Sequence, residues 1–305
     1  MSTGELLDRT FSLYRRHFLL FTGIVVPAPA IILLLILLSS GLDSVQIDIP
    51  TGSRGSSIAM IGMVVASVVG SIGLLLGFAL THAATIRAVA ALHLSLPISI
   101  RQSYAELRGH YWRIVGVFLS VGIRVFGGSV LVYLGSVAVG VMAAGAVSLL
   151  GTLGIIVGAI IAIASFVGGI LLALTLFVRY SLAVQACVIE DIPVKQALKR
   201  SIFLAKGSRN RILTVYVLFS VIFGALWGCL ALLAGLCAEF IHSPQVISAL
   251  FALALFLTMV LSLPLATVAM SLAYYDERVR KEGFDLQILI AGLETPEPKA
   301  AATNA

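Results

Sequence analysis

Few side chains in this chain have the type and spacing that catalysis or metal binding requires. The five histidines are His17, His82, His93, His110 and His242. His82 and His93 stand eleven residues apart, which can place two imidazoles on one helix face. No carboxylate lies beside them to complete a metal set, so they read as polar residues near a membrane interface. Cys187, Cys229 and Cys237 form no CxxC pair and are expected to pack as small apolar groups. Glu190 and Asp191 are adjacent acids, but general acid–base work needs a nucleophile within reach and the flanking sequence offers none. Asp191 is expected instead to cap the helix that follows it. The motifs HExxH, GxSxG and GxxxxGK[ST] are absent. The expectation is a protein without enzymatic activity, metal or cofactor.

Arg124 is the one oddity. It stands inside an apolar run, and ten residues of helix beyond Ile114 would carry it about 15 Å deep, near the bilayer centre. A charge there implies function and a facing partner. The alternative is that its side chain snorkels back to the headgroups. No acidic residue lies mid-span to settle the choice, since Glu239 falls near the outer end of its span.

The elements that would position these residues are set by composition. Of 305 residues, 60% are hydrophobic and 11% are charged, with a mean hydropathy of +1.09. That excludes a soluble core wrapped in polar surface and predicts an all-α, polytopic membrane protein. Six apolar stretches are long enough to cross, at about 18–41, 58–83, 113–142, 153–178, 212–240 and 247–273. Pro27, Pro29 and Pro264 mark bends. Glycines such as Gly70, Gly77, Gly128 and Gly140 mark close helix packing. Of 20 basic residues, 18 fall on one side, leaving only Arg54 opposite and Arg124 within a span. The positive-inside rule then puts both termini in the cytoplasm, and it accounts for the net charge of +6 without nucleic acid.

The chain also repeats. GELLDRTFSLYRRHFLLFTGIVV before span one aligns with ISIRQSYAELRGHYWRIVGVFL before span three and QALKRSIFLAKGSRNRILTVYVL before span five. Thr10, Ser103 and Ser201 correspond, as do Arg15, Arg108 and Lys206, while His17 matches His110 and Gly23 matches Gly116. Each copy has apolar residues at helical spacing flanked by basic ones, as an amphipathic helix lying in the membrane plane does. The expected unit is one in-plane helix and a transmembrane hairpin, repeated over about 1–93, 94–190 and 191–293 in a single membrane domain. Residues 294–305 are expected to form a disordered tail. Tyr274 and Tyr275 are expected at the interface, followed by a helix with Asp276–Arg280 and Glu277–Lys281 pairs. Phe284, Ile288 and Leu289 are expected to dock that helix.

Three stretches resemble bacterial integral membrane proteins related to the glycerophosphoryl diester phosphodiesterase membrane-domain family: GELLDRTFSLYRRHF (4–18), RYSLAVQACVIEDIPVKQALKRSIFLAKG (179–207) and YYDERVRKEGFDLQIL (274–289). The resemblance implies this architecture and a bacterial inner-membrane location. In some relatives such a domain precedes a cytoplasmic phosphodiesterase; about thirty residues follow span six here, too few for that barrel. Arg9, Arg15, Arg101, Arg108, Lys199, Arg200 and Lys206 lie on the three basic helices and are candidate contacts to anionic lipid headgroups. The function expected is a non-enzymatic lipid-contacting scaffold, with other membrane proteins as further partners; the alternative is a transporter with a central cavity.

Overall fold

The computed structural model describes residues 3–44, 53–147, 152–241 and 243–283. Helix is the only regular structure among them. The order is α1 (Thr3–Arg16), α2 (Phe18–Val25), α3 (Pro27–Ser44), α4 (Ser53–His93), α5 (Ile100–Ala105), α6 (Tyr111–Gly122), a π-helical turn (Ile123–Gly127), α7 (Gly128–Val147), α8 (Thr152–Tyr180), α9 (Ala183–Ile189), α10 (Val194–Ala205), α11 (Arg209–Ala238) and α12 (Pro244–Glu282). Five helical segments are long and apolar enough to cross a membrane. A sixth is the α2–α3 pair, bent by 47° where Pro27 removes a backbone donor. The protein is thus an all-α, multi-pass membrane protein. The turn between α7 and α8 and the tail from residue 284, with Phe284, Ile288 and Leu289, lie outside the described residues.

The repeat is visible in packing. Thr10, Ser103 and Ser201 are all fully buried. Thr10 and Ser103 each donate to the carbonyl one turn back, while Ser201 ties two segments by donating to Arg179 and accepting from the Leu182 amide. The helix after each copy starts at an equivalent place, with His17, His110 and Ser208 as the N-terminal flanking residues. In the second and third copies the preceding residue is a left-handed glycine, Gly109 (φ 87°) and Gly207 (φ 89°). The first copy has Arg16 there, and backbone bonds from His17 to Leu13 and from Phe21 to His17 bridge α1 and α2.

Each short helix packs on the hairpin of the preceding unit. α5 lies on α2 and α4, and α10 on α6, α8 and α9. α1 lies on α12 and meets α11 through Phe11 and Phe219, which closes the ring. Gly23 and Gly116 occupy matching seams: Gly23 lies against Ile100 of α5, and Gly116 against Val194 of α10. At the centre, the ends of α4, α9 and α12 contact one another through small side chains, including Ala83, Ala84, Ala183, Ala186 and Ala269, all fully buried. The opposite halves of the spans expose valine, leucine and isoleucine, as at Val64–Ile72 of α4. Those faces meet lipid tails, so packing rather than apolar burial holds the helices together there. We call the end carrying α1, α5 and α10 the basic end.

α12 has 39 residues, about 58 Å of helix, well beyond the roughly 30 Å hydrocarbon core. Pro264 leaves it unbroken. Proline cannot donate and crowds the preceding turn; Tyr14 donates to the nearby Leu261 carbonyl at 3.0 Å. Burial pushes the Tyr14 phenol up to about 12. α12 ends at the left-handed Gly283, whose amide bonds Val279.

Candidate functional site

Two groups of charged side chains stand out at the basic end. The inward set ties α12 to α9, α10 and α11. Glu190, at the end of α9, accepts Arg200 Nε on both oxygens at 3.1 and 3.0 Å, accepts the Tyr274 hydroxyl, and lies 3.3 Å from Arg278. Arg200 also donates to Glu282 at 2.6 Å. Burial works against the Arg200 charge, but its bonds to Glu190 and Glu282 outweigh that and hold its proton more tightly than usual. Arg211 of α11 pairs with Asp276 and, at 3.2 Å, with Glu277, which also accepts the Ser208 hydroxyl. Arg280 reaches Asp276 at 3.0 Å. Arg113 of α6 pairs with Asp191. Lys281 Nζ donates to the carbonyls of Phe203, Leu204 and Lys206, neutralising the C-terminal end of α10.

Five carboxylates (Glu190, Asp191, Asp276, Glu277, Glu282) therefore meet five guanidiniums (Arg113, Arg200, Arg211, Arg278, Arg280). The set cancels its own charge. Apart from Arg113 of α6, which holds Asp191, its partners come from the stretches 179–211 and 274–282, and these lock the end of α12 onto its neighbours.

The outward set is Arg9, Arg15, Arg101, Arg108, Lys199 and Lys206. All six are exposed, and none forms an ion pair among the described residues. They sit on α1, α10 and the α5 segment, where Arg16 and Lys195 are further exposed cations and Glu5, Asp8 and Glu106 exposed acids. Arg200 was expected with them, but its guanidinium is taken by Glu190 and Glu282 and it belongs to the inward set.

Several sequence expectations land differently. Asp191 does not cap α10: Pro193 holds the flanking position, while Asp191 adopts a left-handed backbone (φ 56°) and turns its carboxylate to Arg113. Asp is among the few residues that tolerate that conformation. The Asp276–Arg280 pair forms as expected, but Glu277 turns to Arg211 and Ser208 and Lys281 to the end of α10. Tyr274 and Tyr275 are buried rather than interfacial, because α9, α10 and the end of α4 surround α12 at that level.

The two histidines of α4 have separate surroundings. His82 Nδ1 bonds the Thr267 hydroxyl at 3.0 Å inside the bundle, and His93 stacks on Tyr275 with ring centroids 4.6 Å apart. Cys187 is buried, whereas Cys229 and Cys237 are exposed on α11. Arg124 lies on the π-helical turn and is exposed. It donates to the Ser120 carbonyl, one turn back toward the basic end, at 2.9 Å, and lies 5.9 Å from the Tyr180 ring near the basic end of α8. Among the described residues no group of three His, Cys, Asp or Glu side chains is placed to hold a metal. No family model, curated protein or solved structure matches this chain.

Proposed function

We propose that this chain is a non-enzymatic membrane protein of the bacterial inner membrane, with its basic end and both termini in the cytoplasm. Its outward cations form a collar on anionic lipid headgroups, and the ring of helices inside serves as a scaffold for membrane assembly. The observation that carries the reading is the division of charge. The five inward carboxylates and five guanidiniums neutralise one another, and the three short helices expose cations, Arg9, Arg15, Arg101, Arg108, Lys199 and Lys206 among them, in excess of their exposed acids Glu5, Asp8 and Glu106. Each basic side chain near an anionic leaflet gains about 1 kcal/mol from its surface potential. Membrane location and orientation rest on the positive-inside distribution of the sequence, and the bacterial assignment rests on the resemblance of three motifs. A scaffold is favoured over a transporter because alanines close the centre where the ends of α4, α9 and α12 meet. The posture of Arg124, reaching toward the basic end, supports snorkelling over a buried transport charge.

The test is the triple substitution Arg15→Gln, Arg108→Gln and Lys206→Gln, one from each repeat. Enough positive charge remains for orientation. Native mass spectrometry with phosphatidylglycerol or cardiolipin should show fewer retained lipids. Unchanged retention in a correctly oriented variant would mean that these charges only direct insertion.

A further inference from the structure

Beside α1 the basic end holds a hollow of about 260 Å³. Its rim is polar: Arg9, Ser12 and Arg16 from one face of α1, and His93 from the end of α4. Its floor is apolar, made by Leu13, Leu92 and Leu272. We propose that this hollow is a specific seat for the headgroup phosphate of one anionic glycerophospholipid, distinct from diffuse attraction to the leaflet. The proposal rests on the lipid-contacting reading above and gives it an address.

The geometry follows from helix periodicity. Residues 9, 12, 13 and 16 share a face because they are spaced by three, four and seven. The adjoining flank of α1, with Leu6 and Thr10, is buried in the bundle. Among the described residues no carboxylate lines the hollow, and neither Arg9 nor Arg16 forms an ion pair. Two guanidiniums flanking a hydroxyl match a phosphate diester, because arginine offers paired donors in a planar fork and serine offers one more. His93 is held in place by its stack on Tyr275. The leucine floor argues for a lipid over a free anion. So do Phe18 and Leu19, the next residues along the chain, which stand 39% and 81% exposed and offer a path for acyl chains.

The seat belongs to the first repeat alone. Position 16 corresponds to Gly109 and Gly207 in the other two, and glycine supplies no cation. One tightly held lipid per chain is therefore expected, rather than three.

Native mass spectrometry of the detergent-purified protein tests this with dioleoylphosphatidylglycerol, dioleoylphosphatidylcholine and glycerol 3-phosphate as probes. The wild type should retain one phosphatidylglycerol through detergent exchange, retain phosphatidylcholine less, and not release its lipid to glycerol 3-phosphate. The Arg9→Gln/Arg16→Gln variant should retain at least about tenfold less phosphatidylglycerol. Ser12→Asp, a change at an exposed position that puts a negative charge on the rim, should do the same and keeps the test open if the double variant folds poorly. Wild-type retention in either folded variant overturns the seat, as does equal retention of phosphatidylcholine or displacement by glycerol 3-phosphate. The Arg15/Arg108/Lys206 variant separates the two readings in the same assay. Loss there with no loss in Arg9→Gln/Arg16→Gln sinks the seat and leaves the collar; the reverse leaves the seat and sinks the collar.

Discussion

Removing the Glu190 carboxylate tests whether the inward charges lock the fold. Glu190 is 15% exposed and Arg200 is 26% exposed, so the pair is largely but not fully withdrawn from water. Breaking a fully buried ion pair by removing one partner costs roughly 3–5 kcal/mol, because a charge is left unpaired in a low-dielectric site. Two features reduce that figure here: Arg200 keeps Glu282, and the glutamine oxygen of Glu190→Gln can still accept the Tyr274 hydroxyl. Arg278, however, is left to share Glu282 with Arg200. The expected loss is about 2 kcal/mol, and a double-mutant cycle with Arg200→Gln should give a coupling of about 1–2 kcal/mol. Reversible unfolding in lipid bicelles measures both. Added salt should change the coupling little, since withdrawn pairs are weakly screened. A loss below about 0.5 kcal/mol, or strictly additive substitutions, would refute the lock and reduce these contacts to surface pairing.

Other expectations are more local. Gly109→Ala and Gly207→Ala force a side chain into left-handed backbone, and each should destabilise by about 1–2 kcal/mol in the same unfolding assay. His82→Phe removes one partner of the Thr267 hydroxyl, which keeps its bond to the Leu263 carbonyl, and should cost about 0.5–1.5 kcal/mol in the same assay. A cysteine introduced at Ser208 should react with an impermeant thiol reagent only from the cytoplasmic side; labelling from outside would reverse the proposed orientation.

The fold was legible wherever the information is local. Apolar run length locates the spans, and Pro27 bends the first one as its chemistry requires. The repeat was readable from spacing alone, and buried Thr10, Ser103 and Ser201 explain why small hydroxyls recur there: the position faces the bundle, and short hydroxyls satisfy themselves on nearby backbone groups. The charge lock was not legible. The Asp276–Arg280 pair is a four-residue relation on one helix, whereas Glu277 finds Arg211 across 66 residues and Tyr274 finds Glu190 across 84. Ending span six at 273 made the tyrosines interfacial by the aromatic-belt rule. Nothing local announces that α12 continues into a layer built by other repeats. A usable signal was present all the same: two adjacent acids, Asp276 and Glu277, beside two tyrosines, and arginines at 200 and 211 in the loop before span five.

Charge and packing together explain why the three repeats are not equivalent. Each copy has a short helix seated on the preceding hairpin, so the ring is threefold at the basic end. In the second and third copies a left-handed glycine turns the chain sharply before the span begins. In the first copy Arg16 takes that place, and α1 passes into α2 with hydrogen bonds from His17 to Leu13 and from Phe21 to His17. Arg16 at that position is also the second guanidinium of the proposed phosphate seat. The third copy departs in the other direction: its final helix outruns the bilayer and is held by Glu190 and Arg211. Internal ion pairs thereby hold α12 at the basic end, while exposed cations remain on all three short helices. A protein built only to insert correctly needs the total of those charges, not their separation into neutralised and displayed sets.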